Sequence, residues 1–364
     1  MIKKRLTKIA IATLVVSMAL LTGCGKDKDK KTTESASNTD AVINLETEAT
    51  MTDPSDITVV TKEGYVLSEL TGEWIDESLK NQRPICIMIN NIIDAMPQSG
   101  ISQADITYEM MVEGGITRYL CVFKDYSNIE KLGPVRSARP YYVRMTQNLG
   151  GIYTHYGWSH IAHVIIVEDS VENMNGVSGE SSIVFYRDSS RYEPHNVYTN
   201  SGMLNDGIDY MGYSRDYHDD YEKTLNFYLE DTELEGNNVA NNVTVAFSDY
   251  YTPWFEYDSA TKLYNRFQYG EAQIDDQTGE QLSYKNVIVM TANYFDIGEG
   301  LYDIEWSEGG EGYYISNGKY VPLTWKYEGA NVRYYDEAGK PLKLNPGNSF
   351  VDIIPKSTGY VTFE

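Results

Sequence analysis

Beyond residue 21 the sequence has no apolar run long enough to cross a bilayer, which takes about 20 residues. It has only 3 cysteines and 5 histidines, and its 30 basic residues are outnumbered by 53 acidic ones. The shortage of positive charge sets aside nucleic acid as a partner, because phosphate backbones are held through lysine and arginine. Gly-Xaa-Ser-Xaa-Gly elbows, P-loops and dinucleotide fingerprints are missing as well, so the usual local signatures of serine hydrolysis and nucleotide use are absent. The histidines form no tight ligand motif; His160 and His163 would share a helix face if Ser159 opened a helix, with Asp169 or His155 as further ligands. That spacing alone assigns no metal, and no cofactor is implied.

What is present begins with the N-terminus. Lys3, Lys4, Arg5 and Lys8 precede an apolar run from Ile9 to Leu21, the pattern of a secretory signal. Leu21-Thr22-Gly23-Cys24 is a lipobox, which predicts cleavage before Cys24 and acylation of its sulfur. Acyl chains contribute about 0.8 kcal/mol per buried CH₂, enough in pairs to hold a protein on a membrane. Loss of residues 1–23 removes four basic residues and no acid, leaving 26 basic against 53 acidic residues, or −27. The expected location is the outer face of the bacterial cytoplasmic membrane. Residues 24–61 are rich in Lys, Asp, Ser and Thr and poor in large apolar side chains, a tether with an r.m.s. reach of about 35 Å.

The remainder reads as α+β in two domains: a mixed α/β part with a central sheet at 73–228, and a mostly antiparallel β part at 238–364. In the second, turn signals at Asp258-Ser259 and Asn317-Gly318 separate alternating strands. Cys86 and Cys121 lie in apolar strand-like runs, either as packing residues or as a disulfide between neighbouring strands.

Candidate chemistry concentrates in the first domain. Residues 106–123 predict a hairpin with a two-residue turn at Gly114-Gly115, so that Arg118 opposes Met111 and lies diagonal to Glu109 and Glu113. The run Gly133-Pro134-Val135-Arg136-Ser137-Ala138-Arg139-Pro140 predicts a helix capped by Ser137 and running to about Asn148. Arg136 and Arg139 at its start form an anion receptor, unless they pair internally with Asp105, Glu109 or Glu113. His155 ends a strand-like segment and His195 sits in a loop, positions where binding groups gather.

Several of these stretches, Arg83-Pro84-Ile85, Pro97-Gln98-Ser99-Gly100, Glu113-Gly114-Gly115-Ile116-Thr117-Arg118, the Gly133 to Arg139 run and Pro194-His195-Asn196-Val197-Tyr198, resemble the YerB-like lipoproteins. So do Tyr264-Asn265-Arg266 and Leu344-Asn345-Pro346-Gly347 in the second half. The resemblance implies a bacterial lipoprotein built on a two-part domain of unknown function, and it supplies no catalytic residues. It adds Asn90, Asn91 and Asn196 to Arg118, Arg136, Ser137 and Arg139 as candidate ligand-binding residues.

Two functions compete. One is a binding or regulatory module of the cell envelope, attached to the membrane through its lipid and recognising an envelope protein or an anionic wall polymer. The other is a hydrolase or transferase with His155 or His195 as base, Glu109 or Glu113 as acid, and the arginines holding an anionic substrate group. The enzyme requires these side chains to converge in one cleft.

Overall fold

The computed structural model describes residues 61–364. The signal run, Cys24 and the tether up to residue 60 lie outside the described residues. No described helix is long and apolar enough to cross a membrane.

The two main layers are sheets of ten and six strands, of which the fourteen longer ones carry the architecture. Those of the first half are β1 (Ile85–Asn91), β2 (Ile106–Met111), β3 (Thr117–Phe123), β4 (Ile152–His155) and β5 (Asn173–Asn175). Next come β6 (Asn242–Ala246), β7 (Trp254–Asp258), β8 (Leu263–Gln268) and β9 (Asn286–Ala292). The last five are β10 (Gly310–Ser316), β11 (Lys319–Glu328), β12 (Asn331–Tyr335), β13 (Ser349–Pro355) and β14 (Tyr360–Phe363).

One ten-stranded sheet runs β12-β11-β10-β9-β13-β2-β3-β1-β4-β5. The stretches 73–228 and 238–364 contribute five strands each, and they join where β13 pairs in parallel with β2. Alternation along β1 and β3 divides their side chains between two cores. Ile85, Ile87, Tyr119 and Cys121 face a second sheet containing β6, β7, β8 and β14, whose Val243, Phe255 and Tyr264 join the same cluster. Cys86, Met88, Leu120 and Val122 face helix α1 (Pro140–Asn148) and helix α2 (His160–Glu168). The architecture is thus α+β, with α1 and α2 on one face of a mixed sheet and, on the other, an antiparallel sheet together with the helix Ser201–Met211, whose Leu204 and Ile208 join the second cluster.

The period of two settles the cysteines. Cys86 and Cys121 occupy neighbouring strands but opposite faces, both free and fully buried. Burial pushes the Cys86 thiol up to about 12 and raises that of Cys121, so both are inert packing residues.

The hairpin of β2 and β3 differs from expectation by one residue. Its turn holds three residues, Glu113, Gly114 and Gly115, closed by Val112 N–H donating to Ile116 O at 2.8 Å. Arg118 therefore opposes Met110, and Glu109 opposes Tyr119. A slip of one residue exchanges sheet faces, so Glu109 and Arg118 lie on opposite sides of the sheet. Both glycines are left-handed, at φ 77° and 73°, and a Cβ at either meets nothing within 4 Å. Gly115→Ala should cost about 1–2 kcal/mol from backbone conformation alone, measurable as a lowered urea midpoint with an unchanged slope. The other two hairpins form as the sequence predicts, with Trp254 opposite Phe267 and a turn in which Asn317 and Gly318 both take positive φ.

Candidate functional site

Four pieces of chain meet beside the end of β1: Asn90 itself, Arg118 at the start of β3, residues 133–139, and the loop 191–196. Residues 134–136 continue the sheet past the end of β4. Asn90 N–H donates to Pro134 O at 2.9 Å, Arg136 N–H to Met88 O at 3.0 Å, and Val135 N–H to Val197 O at 2.8 Å.

The extended pairing continues through Ala138, whose N–H donates to Gly157 O, and this moves the helix start. The Ser137 hydroxyl donates to Tyr156 O at 2.9 Å rather than capping, and Arg139 is the N-cap residue, with Pro140 as the first helical residue. The expected serine cap is thus displaced by a β-bridge between Ala138 and Trp158.

Three guanidinium groups and one carboxylate follow from this layout. Arg139 donates through Nε to Glu113 Oε2 at 2.8 Å and through Nη2 to Oε1, a fork on a carboxylate. Arg118 donates through Nη2 to Glu113 Oε1 at 3.2 Å and through Nη1 to Ser137 O at 2.7 Å. Arg118 and Arg139 are only 5% and 7% exposed. Arg136, half-buried, reaches Pro194 O at 3.3 Å and has no carboxylate partner among the described residues. The Nε groups of Arg118 and Arg136 are buried without acceptors.

Electrostatics records the crowding. Burial, then the neighbouring Arg139, brings Arg118 down to about 10 and lowers Arg136. Burial opposes ionisation of Glu113, but the Arg139 hydrogen bond and the charges of Arg118 and Arg139 overcome it and hold the carboxyl at about 2.

His195 completes this corner. Its Nδ1 lies 2.7 Å from Asn90 Nδ2, and partial burial, then Arg136, lowers its pKa. The ring is neutral at pH 7, with Nδ1 accepting from Asn90 and the proton assigned to Nε2. From the short strand before this loop, Arg187 donates to Asn196 Oδ1 at 2.8 Å and pairs with Glu193. Arg191 donates to Ala95 O at 2.7 Å and Met96 O at 3.1 Å and pairs with no described carboxylate.

Other expected site residues lie elsewhere. His155 is fully buried, with ring nitrogens 2.8 Å from Gly157 O and 3.2 Å from Asn173 Oδ1, and burial brings it down to about 4. It is a structural histidine of β4. Ser159 does open α2, and His163 stacks on Trp158 at 4.2 Å. No cluster that could hold a metal occurs among the described residues.

Asn91 and Glu109 belong to a buried network between the two sheets. Glu109 forms an ion pair with Arg266 in which neither side chain is exposed. Tyr251 OH donates to Glu109 at 2.8 Å, and Asn91 Nδ2 donates to Glu109 Oε1 at 2.9 Å. Asp352, in register with Glu109 on the adjacent strand, is equally buried. No N–H or hydroxyl group donates to its oxygens among the described residues, and burial, with the Glu109 carboxylate beside it within hydrogen-bonding reach, holds the carboxyl well above the usual range. Glu109 therefore cannot act with Arg118, and the acid–base set of Glu109, His155 and the arginines does not converge. Sequence reasoning missed Arg266 and Asp352, although the alternation that buries Tyr264 also buries Arg266 two residues on.

Two cavities, of about 450 and 410 Å³, are lined respectively by Arg83, Arg144, Glu172 and Tyr327 among others, and by Glu73, Asp105 and Lys285 among others. Neither includes a residue of the arginine corner.

Comparison with known proteins places the chain. It is 30% identical over 293 residues to the Bacillus subtilis (strain 168) protein named "Putative lipoprotein YerB", covering 79% of this chain and 85% of that one. The crystal structure of YerB protein from Bacillus subtilis superposes with a TM-score of 0.72 at 29% identity, over 82% of this chain and 99% of the other. Residues 70–214 match the family described as "Protein of unknown function (DUF3048) N-terminal domain", and residues 243–351 match its C-terminal domain. With both parts matched in order along one continuous sheet, the chain belongs to the DUF3048 family.

Proposed function

We propose that this protein is an envelope lipoprotein, anchored through Cys24 on the outer face of the cytoplasmic membrane, whose globular part binds an anionic ligand at the arginine corner. The lipobox and the name of the Bacillus relative support the anchor. The single observation carrying the binding role is that Arg118 and Arg139 share one carboxylate, Glu113, while Arg136 beside them has no carboxylate partner among the described residues. Buried charge left without a counter-ion is costly. In a chain of net charge −23, acidic partners were abundant, yet these arginines are left under-compensated. An external anion resolves the imbalance, and the exposed loop carrying Arg191 and His195 gives it access. An anionic envelope polymer or an acidic patch of an envelope protein meets the same requirement.

Retention of the full chain, in detergent, on an immobilised sulfated polysaccharide tests the binding role. The net charge opposes retention, so binding reports the local patch. Arg136→Gln is expected to weaken it about tenfold or more, the equivalent of one charge-assisted hydrogen bond. Failure of the wild-type chain to be retained at low salt, or equal retention of the variant, rejects the role.

A further inference from the structure

The charge count at the arginine corner identifies its ligand more narrowly. We infer that the corner is a receptor for a dianionic oxyanion of the phosphate monoester class, in preference to a carboxylate or a phosphodiester; the inference rests on the anion-binding reading above.

Three guanidiniums against one carboxylate leave two positive charges in a half-buried setting. The surrounding elements do not cancel them. Glu193 is 71% exposed at its side chain and engaged by Arg187, Asp94 is exposed, and Arg191 adds a further positive charge without a carboxylate partner among the described residues. A monoanion would leave one charge uncompensated, whereas a dianion brings Arg118, Arg136, Arg139 and Glu113 to neutrality.

Donor geometry agrees with the charge. The N–H groups without an acceptor, Arg118 Nε from β3 and Arg136 Nε from the 133–139 segment, are buried on separate pieces of chain, with His195 of the 191–196 loop beside Asn90. Donors on separate pieces of chain suit an anion with several terminal oxygens. The planar, two-oxygen alternative is already represented by Glu113 on the fork of Arg139.

His195 also gives the site a proton response. The Asn90 side chain makes no other hydrogen bond among the described residues, so it can turn its carbonyl oxygen toward Nδ1 when the ring takes a second proton. The groups acting on the ring are Arg136 and Arg191, which oppose protonation, and Asp94, which favours it. A bound dianion tips that balance toward the charged ring.

Calorimetric titration of the full chain at constant ionic strength provides the test. The dianions are sulfate and glycerol 3-phosphate, and the monoanions are acetate and dimethyl phosphate. The dianions are expected to bind at least about tenfold more tightly at pH 7.5. That ratio should shrink in Arg136→Gln and widen in Glu113→Gln. If Glu113→Gln does not fold, Arg136→Gln alone decides. Sulfate, which stays dianionic throughout, should bind more tightly as pH falls from 7.5 to 5.5, and His195→Gln should abolish that trend. Vesicles containing phosphatidic acid, compared with soluble glycerol 3-phosphate, separate a lipid source of the monoester from a free one. Monoanions binding as well as dianions would overturn this inference while leaving the polysaccharide result intact. Absence of both small-anion binding and polysaccharide retention would remove the anion site altogether.

Discussion

Arg266→Met should destabilise the protein by about 3–5 kcal/mol, the range found when one member of a buried ion pair is removed. In a chain of this size that corresponds to a fall in melting temperature on the order of 10 °C. The guanidinium of Arg266 is the only positive group paired with Glu109 among the described residues, and both side chains are wholly inaccessible. It also lies 4.1 Å from the ring centre of Phe350 and 4.9 Å from that of Phe255, so a methionine of similar length keeps much of the packing and isolates the electrostatic loss. The double variant Arg266→Met/Glu109→Gln should recover a large part of it, since a neutral amide tolerates burial better than an orphaned carboxylate. Thermal and urea unfolding of the three proteins measures this directly. A single variant within about 1 kcal/mol of wild type would show that the pair does not hold the two sheets together.

Asp352→Asn has the opposite sign. In the folded protein the Asp352 carboxyl is raised well above the ordinary aspartate range by burial, with Glu109 next to it, whereas the unfolded value is about 3.9. Between these values the folded chain binds one proton more than the unfolded chain. Stability is therefore highest below about pH 4 for this group, and falls by about 1.4 kcal/mol per pH unit above it until the folded carboxyl ionises. Asparagine carries no such proton and removes the decline. The variant should be the more stable protein at pH 7–8, with a flatter dependence of stability on pH. The phenols on the Glu109 side, Tyr119 and Tyr251, are both raised and stay neutral across this range. Parallel pH profiles for wild type and variant would contradict a protonated Asp352.

These two effects involve residues that sequence reading passed over, and the reason is instructive. The strands, the arginine-bearing helix and both tight turns of the second half were legible, because each depends on local period and turn chemistry. The pairing of distant strands was not. Asp352 stands in an apolar run, Phe350 to Ile354, which signals a buried acid, but nothing local says that β13 lies against Glu109. The turn at Gly114 and Gly115 shows how small the deciding detail is. Including Glu113 in the turn moved Glu109 from the arginine face to the inter-sheet core. For the same reason Arg118, Arg136 and Arg139 could be named from sequence, while the sharing of Glu113 by Arg118 and Arg139, with Arg136 left over, required the fold.

The join between β2 and β13 also sets an order of events for a newly made chain. β13 follows β2 by more than two hundred residues, and until it arrives one edge of β2 exposes unpaired N–H and C=O groups. Loop closure over that distance makes the pairing intrinsically slow, so the first half cannot finish its sheet while the second is still being delivered. The ten-stranded sheet therefore closes only when β13, the last of its strands to be made, becomes available.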